Sequence, residues 1–161
     1  MTQVALKWVF VLDDDYAWMS GRAFAEDCAF EDCQGARRLE IRKNGEIKVL
    51  AGYAWDGCTP KFSLWDICVG TPDGVPNAGT KRPKAYFASL LHDALYQFSV
   101  QKLPKPLDRR KAIDRIFLEL LERDGFAPRQ VYYRVVRVLG GLFFHGYTRH
   151  KRGYRGRKVL L

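Results

Sequence analysis

Four polar residues have the types and the spacing of a hydrolytic site. His92 and Tyr96 are four residues apart, so they share one face of a helix, and Asp93 lies beside that face. Asp114 falls in line with the apolar residues of a second helical segment. An unpaired carboxylate on an apolar face would cost several kcal/mol, so Asp114 must have a partner. The sequence therefore predicts one polar cluster between two adjacent helices.

His92 is the partner that suits Asp114 best. A carboxylate that accepts a hydrogen bond from one imidazole nitrogen fixes the tautomer and leaves the other nitrogen to accept a proton from water. The pair is then a general-base dyad, and the hydroxyl of Tyr96 can hold Asp114 in place. A second interpretation stays open, because buried His–Asp–Tyr networks also serve only to lock helices together.

Asp93 has a separate predicted role. With Asp114 assigned to His92, the Asp93 carboxylate is predicted to bind a cation, or an arginine of a third helix such as Arg134 or Arg137. The two alternatives differ in their consequence, because only the first provides a metal site.

The helices that must carry the cluster follow from hydrophobic periodicity. After Pro83, apolar residues recur at intervals of three and four, which predicts a first helix with one buried stripe. A second helix is predicted from Asp108, as its N-cap, to about Asp124, with Gly125 just after its end. A third helix is predicted to start near Pro128. We expect the first two helices to pack antiparallel.

The chain before these helices is predicted to be β-structure and then a loop. Segment 4–12 is rich in branched and aromatic residues, and segment 38–52 alternates around Asn44-Gly45, a dipeptide suited to a hairpin turn. The fold class is therefore α+β, with an N-terminal β-hairpin or meander, a long ordered loop and a C-terminal bundle of three helices. A single domain is expected over residues 1–161, divided into β-rich 1–52, loop 53–84, helical 85–146 and basic tail 147–161.

Charge is distributed unevenly along the chain. Residues 1–100 hold 11 Lys and Arg against 13 Asp and Glu, whereas residues 101–161 hold 16 against 5. A basic half of this kind suggests contact with polyanions, which include nucleic acid, anionic lipid headgroups and acidic protein surfaces. Nucleic acid is the weaker choice, because the tryptophans do not interleave with the basic residues. The predicted contact residues are Arg134, Arg137, Arg149, Lys151, Arg152 and Arg155.

The basic end of the chain, residues 149–158, has no hydrophobic period and is predicted to be a partly mobile tail. It is either a solvated end or an arm that grips another chain, lipid headgroups or packaged DNA. His145 and His150 have no carboxylates close in sequence, and we expect both to be surface or partner-contacting residues rather than ligands.

Several other classes of protein are disfavoured. The N-terminus lacks the basic start and cleavage site of a signal peptide, and no uninterrupted apolar run approaches the roughly 20 residues of a membrane span. The sequence contains no Walker loop, dinucleotide fingerprint or G-x-S-x-G elbow. The cysteines fit no common zinc spacing and are expected to be buried, reduced thiols. They are Cys28, Cys33, Cys58 and Cys68.

The motif HDALY (residues 92–96), followed by DRRKAID (residues 108–114), resembles the two catalytic helices of secreted calcium-dependent phospholipases of the A-two type. It is most similar to their short bacterial and fungal members. The resemblance implies that His92 activates water against the sn-2 ester and that Asp114 orients it. It also implies that Asp93 binds calcium and that Tyr96 supports the dyad.

The glycine-rich calcium loop that those enzymes place before the histidine is not evident in this sequence. Asp56, in the segment WDGCTP, is the residue we suggest as a further calcium ligand beside Asp93. Calcium is thus the cofactor that the resemblance implies.

A broader resemblance is to a family of bacteriophage and prophage proteins, domain-of-unknown-function family thirteen fifty-three. The shared order of motifs is DG-x-[ST]-x-P, HD-x-x-Y, R-x3-D and R-x2-R-x2-G, the first of them slightly shortened here. They begin at Asp56, His92, Arg110 and Arg134. The resemblance implies a phage or prophage source and no established activity. We expect synthesis in the host cytoplasm, and incorporation in the virion stays open as an alternative.

Two functions are therefore expected to compete. The first is a phage-encoded, phospholipase-like hydrolase that uses the His–Asp dyad to activate water and has phospholipid as its partner. The second is a non-enzymatic virion protein of the tail or capsid, or a host-interaction protein, that keeps the helix pair as a scaffold and binds another phage or host protein.

Overall fold

The sequence folds into a twisted antiparallel sheet with helices packed against it, as a computed structural model of the chain shows. The structure describes residues 10–55, 76–138 and 156–161, and the backbone of strands 62–64 and 67–69. In chain order the strands are β1 (Phe10–Val11), β2 (Tyr16–Met19), β3 (Cys28–Glu31), β4 (Arg37–Ile41), β5 (Glu46–Val49), β6 (Ala54–Trp55), β7 (Phe62–Leu64), β8 (Ile67–Val69) and β9 (Arg157–Leu160). The helices are α1 (Tyr86–Phe98), α2 (Arg110–Arg123) and α3 (residues 129–138). The predicted α+β class is confirmed.

The main sheet has the strand order β2-β5-β4-β3-β9 and antiparallel pairing. The predicted hairpin at Asn44-Gly45 is confirmed as the β4–β5 connection. Gly45 has a φ of 98°, and a Cβ there would lie 2.3 Å from the carbonyl oxygen of Arg22, so only glycine suits this turn. The inner face of the hairpin is formed by the buried side chains of Leu39, Ile41, Ile47 and Val49.

Helices α1 and α2 pack antiparallel, as predicted. Lys84, just before α1, donates a hydrogen bond to the carbonyl of Gly125, just after α2, at 3.1 Å. Tyr96 in the last part of α1 contacts Asp114 in the first part of α2. The Phe98 ring of α1 lies 5.7 Å from the Phe30 ring of β3, measured between centroids, so the helix pair covers the sheet.

The two ends of α2 differ in how well they were predicted. Gly125 follows the helix with a φ of 64°, and the N–H of Phe126 donates to the carbonyl of Leu121 at 2.9 Å, as in a Schellman motif. The predicted N-cap at Asp108 is wrong. Arg109 is the N-cap residue, and its side chain makes no capping hydrogen bond because a guanidinium has no acceptor. Asp108 lies in the preceding turn, in which the N–H of Arg109 donates to the carbonyl of Pro106 at 3.3 Å.

Two predictions for the connecting segments need correction. The predicted loop 53–84 contains β6, which pairs with β1, and the β7–β8 hairpin. The predicted basic tail 147–161 ends in β9, which pairs with β3 at the edge of the main sheet. Residues 1–9 and 139–155 lie outside the described part of the chain, and with them most of the predicted strand 4–12 and the far end of the helical region 85–146.

Helix α3 begins at residue 129, as the position of Pro128 predicts. Its side chains Tyr132 and Val136 pack against the core, and the Tyr132 ring meets the Phe126 ring edge-on at 4.9 Å between centroids. Within residues 10–55, 76–138 and 156–161, none of the helices combines the length and the apolar character that crossing a membrane requires.

Candidate functional site

The predicted cluster forms where α1 faces the first half of α2. The Nε2 atom of His92 lies 3.1 Å from Oδ1 of Asp114, and the hydroxyl of Tyr96 donates to the same oxygen. The rings of His92 and Tyr96 lie side by side with their centroids 4.1 Å apart, because residues four apart share a helix face. The predicted contacts between these three residues are confirmed.

Asp114 is completely buried, and both of its carboxylate oxygens are engaged. Its second oxygen, Oδ2, accepts a hydrogen bond from Nη1 of Arg137 at 2.7 Å. Burial by itself would raise the pKa of Asp114, but the hydrogen bonds from His92, Tyr96 and Arg137 outweigh it and lower the pKa. Asp114 is therefore a charged carboxylate at neutral pH, fixed in orientation by three donors.

The imidazole of His92 is almost enclosed, with 11% of its side chain exposed. It lies against the ring of Phe117, at 4.8 Å between centroids. Its Nδ1 atom faces Asp93, whose Oδ1 is 3.8 Å away and so beyond an ordinary hydrogen bond. With Nε2 held by Asp114, Nδ1 is the nitrogen that can accept a proton.

Two opposing effects set the protonation of His92. Burial lowers its pKa, but the hydrogen bond to Asp114 and the neighbouring carboxylate of Asp93 outweigh that effect, so the pKa is raised above its ordinary value. The neutral imidazole, which is the form that acts as a base, is therefore favoured only above this raised pKa.

Tyr96 acts in this cluster as a hydrogen-bond donor. Burial and the hydrogen bond to the charged Asp114 both raise the pKa of Tyr96. Its hydroxyl consequently keeps its proton over the range in which proteins work and donates that proton to Asp114. This geometry is the one predicted for a tyrosine that holds the carboxylate of a dyad.

Arg137, one of the alternatives suggested as a partner of Asp93, binds Asp114. Arg134, the other arginine proposed for Asp93, is exposed on α3. The sequence predicts His92 and Tyr96 as partners of Asp114, but a buried carboxylate can accept about four hydrogen bonds and so has room for a third donor. The third helix is thus joined to the dyad itself.

Arg110 is a residue of the site that the sequence argument did not assign a role. Its guanidinium donates to the carbonyl of Arg137 at 3.0 Å and to that of Val136 at 3.4 Å. These bonds fasten α3 to α2 and set the position from which Arg137 reaches Asp114. The available signal was the spacing of Arg110 and Asp114, which are four apart and share a helix face.

The described residues do not complete the calcium site that was predicted. Calcium takes about six to eight oxygen ligands, and the structure offers the Asp93 side chain, which is 25% exposed. In the parts of the chain that are described, no three His, Cys, Asp or Glu residues are grouped so that they could hold a metal ion. Asp56 lies outside the described residues. The calcium site therefore stays a prediction.

Most of the predicted basic contact residues cannot be placed. Arg149, Lys151, Arg152 and Arg155 lie outside the described residues, as do His145 and His150. The basic residues of β9 are engaged within the fold. Arg157 pairs with Glu31 at 2.6 Å, and Lys158 pairs with Glu26.

For Cys28 and Cys33, the prediction of free thiols is confirmed, and the prediction of burial is confirmed only for Cys28. Cys28 and Cys33 are both free thiols. Cys28 is buried in β3, and burial raises its pKa to about 11. Cys33 is exposed, contrary to prediction, because it lies in the turn after β3 whose backbone is fixed by Asp32. Cys58 and Cys68 have no described side chains.

Comparison with known proteins finds no family model, no curated protein and no solved structure that matches this chain.

Proposed function

We propose that this protein is an ester hydrolase in which the His92–Asp114 dyad activates water. The observation that supports it is the distance of 3.1 Å between Nε2 of His92 and a buried carboxylate oxygen of Asp114. This arrangement fixes the imidazole and directs its second nitrogen, Nδ1, away from Asp114. A general base needs this combination of a held ring and one nitrogen with a lone pair.

The proposed reaction uses the chain's own residues at each step. Nδ1 of His92 accepts a proton from water while the water oxygen bonds to the ester carbonyl carbon. The buried charge of Asp114 stabilises the imidazolium that forms. When the tetrahedral intermediate collapses, the bond to the leaving oxygen breaks, and the imidazolium gives its proton to that oxygen.

Tyr96 and Arg137 support the reaction by holding Asp114. Each donates a hydrogen bond to the carboxylate, Tyr96 to Oδ1 and Arg137 to Oδ2. A carboxylate that is fixed in this way fixes the ring that it binds, which maintains the direction of Nδ1. Neither residue is proposed to contact the substrate.

The proposed substrate is the ester of a phospholipid. This choice rests on the resemblance of HDALY and DRRKAID to the catalytic helices of short phospholipases of the A-two type. The wider resemblance supports a bacteriophage or prophage source, with synthesis in the host cytoplasm and incorporation in the virion. Calcium, with Asp93 and Asp56 as ligands, belongs to the same proposal and is tested separately.

A non-enzymatic role is the second proposal, and one observation favours it. The Asp114 carboxylate joins α1 through His92, α2 through its own backbone and α3 through Arg137. A buried polar network that is fully bonded can serve only to fix the packing of helices. The protein would then be a tail, capsid or host-interaction component that uses this helical bundle as a scaffold.

The hydrolase proposal is tested by fatty acid release from mixed phospholipid vesicles, with calcium and with EDTA. Wild-type protein is expected to release fatty acid. The rate of release by His92→Gln is expected to be lower by at least about a hundredfold, because the general base is removed. Gln97→Ala, one residue beyond Tyr96 on the same helix, is the matched control. Wild-type protein that is inactive in every condition would end the hydrolase proposal.

Two further measurements address calcium and the scaffold role. Calorimetric titration with calcium should show binding that Asp93→Asn removes, and absence of binding by the wild type would exclude the cation. Mass spectrometry of purified particles of the source phage should find a fixed copy number if the protein is a virion component.

A further inference from the structure

One face of α3 carries exposed apolar and basic side chains. Val131 is 61% exposed and Val138 is 72% exposed. They are seven residues apart, or two turns, and so lie on the same side of the helix. Arg134 lies between them and is also exposed. We call Val131, Arg134 and Val138 the outer face of α3.

The outer face lies away from the core. Tyr132 and Val136, which are four residues apart, point to the opposite side and pack against buried residues. Large aliphatic side chains on the exterior of a protein are usual when they are single. Val131 and Val138 are instead aligned on one side of a single helix. That helix is also the one that contacts the dyad.

The charge of α3 has one sign. Residues 129–138 contain three arginines and no acidic residue. Arg129 lies 3.6 Å from Glu122, and Arg137 is bound to Asp114. Among residues 10–55, 76–138 and 156–161, no carboxylate forms an ion pair with Arg134. The outer face therefore presents a cation between two valines.

We propose that the outer face of α3 docks on an anionic lipid surface. Helices that lie in the membrane interface bury apolar side chains and hold Lys or Arg at the level of the headgroups. The guanidinium of Arg134 can reach the phosphate level while its stem and the two valines enter the apolar zone. An acidic protein surface would match Arg134, but it would leave Val131 and Val138 against polar groups.

This docking would hold the helix that contacts Asp114 at the lipid surface, and in that respect the inference rests on the proposed hydrolase function. Arg137 belongs to the same helix as the outer face and lies 2.7 Å from Asp114. The dyad is thus one side chain away from the element that would lie on the lipid. No other described helix joins an exposed apolar pair to the Asp114 carboxylate.

The experiment is flotation of the full chain with vesicles of phosphatidylcholine alone and with vesicles that also contain phosphatidylglycerol. We expect binding to the anionic vesicles and a loss of about fivefold in affinity for Arg134→Gln, the amount expected for one basic residue near a charged surface. The double variant Val131→Ser/Val138→Ser should lose at least about tenfold, because it removes most of the apolar contact.

The controls separate the outer face from total charge and total apolarity. Arg115→Gln removes an arginine that is 64% exposed on α2. Val11→Ser/Val100→Ser removes two valines that are 55% and 52% exposed elsewhere. Both controls should bind as the wild type does. Equal binding by all variants, or binding only to an acidic protein and not to vesicles, would overturn the inference.

Failure of this inference is distinguishable from failure of the hydrolase proposal. His92→Gln should still float with anionic vesicles, since the outer face is unchanged. Hydrolysis of a short-chain phospholipid that is dispersed as monomers needs no docking. Release from monomers without vesicle binding would refute the docking surface alone, whereas vesicle binding without any release would refute the hydrolase alone.

Discussion

Arg137 donates a hydrogen bond of 2.7 Å to Asp114, the same buried carboxylate that holds the imidazole of the dyad. The third helix is therefore part of the site and not only a neighbour of it. Because Asp114 is completely buried, its charge depends on the donors around it. The stability of the bundle and the orientation of His92 are thus set by one carboxylate.

The first prediction concerns Asp114→Asn. This change removes the charge that His92 and Arg137 face, and we expect the free energy of unfolding to fall by about 3–5 kcal/mol, as for other broken buried ion pairs. Urea unfolding at neutral pH, followed by circular dichroism, measures it. The control is Asp108→Asn, at an exposed turn position, which should change stability by no more than about 0.5 kcal/mol. An Asp114→Asn protein as stable as the wild type would contradict the network.

The second prediction concerns the coupling of Arg137 to Asp114. Arg137→Gln alone should lower the free energy of unfolding by about 1.5–3 kcal/mol, the usual range for a hydrogen bond to a charged group. In combination with Asp114→Asn it should cost clearly less, because the partner is already gone. A double-mutant cycle from urea unfolding gives the coupling energy. Strict additivity of the two changes would show that the Arg137–Asp114 ion pair contributes nothing to the free energy of unfolding. Arg115→Gln, at an exposed position, is the control.

The helix pair and its dyad could be predicted because they depend on local periodicity. Apolar residues recurring at intervals of three and four define one side of α1 and of α2, and Asp114 falls on that side. A charge at such a position requires a partner, and His92 and Tyr96 were the nearest suitable groups. The contact of Asp114 with His92 and Tyr96 could therefore be predicted once the two helices were expected to be adjacent.

Arg137 and β9 could not be predicted in the same way, because their positions depend on distant parts of the chain. The rotation of α3 is set by the packing of Tyr132 and Val136 and by the bonds from Arg110. β9 is a short basic segment that becomes a strand because β3 provides an edge with Glu31 beside it. Neither condition appears in the local sequence.

The third prediction concerns Gly156, where the chain enters β9. A Cβ at this position would lie 2.0 Å from the carbonyl oxygen of Glu31, so Gly156→Ala must push β9 away from β3. We expect a loss of about 1–3 kcal/mol in the free energy of unfolding, as for overpacked sites. Amide hydrogen exchange at Val159 and Ala29, which are paired between β9 and β3, should also accelerate. The control is Gly79→Ala, where the atom nearest to the added Cβ is 3.4 Å away. Unchanged amide exchange in Gly156→Ala would argue against the pairing of β9 with β3.

The last prediction concerns pH and the sign of the His92 contribution. The pKa of His92 is raised above 6.5 in the folded protein. A raised pKa means that the folded state binds the proton more tightly than the unfolded state does. The stabilisation by His92 is then fully present below about pH 6.5 and is lost as the pH rises through the folded pKa. The base needed for hydrolysis appears over that same rise.

Two measurements test this pH dependence together. Nuclear magnetic resonance titration of the His92 ring should give a midpoint above 6.5, and the wild type should exceed His92→Gln in stability most clearly at pH values below that midpoint. Asp114 acts in the opposite direction, because its pKa is lowered below 3.8 and its contribution is lost only as the pH falls through that lowered value. A His92 midpoint below 6.5 would mean that burial outweighs the two carboxylates, and the imidazole would then be a neutral base over a wider range than the dyad geometry implies.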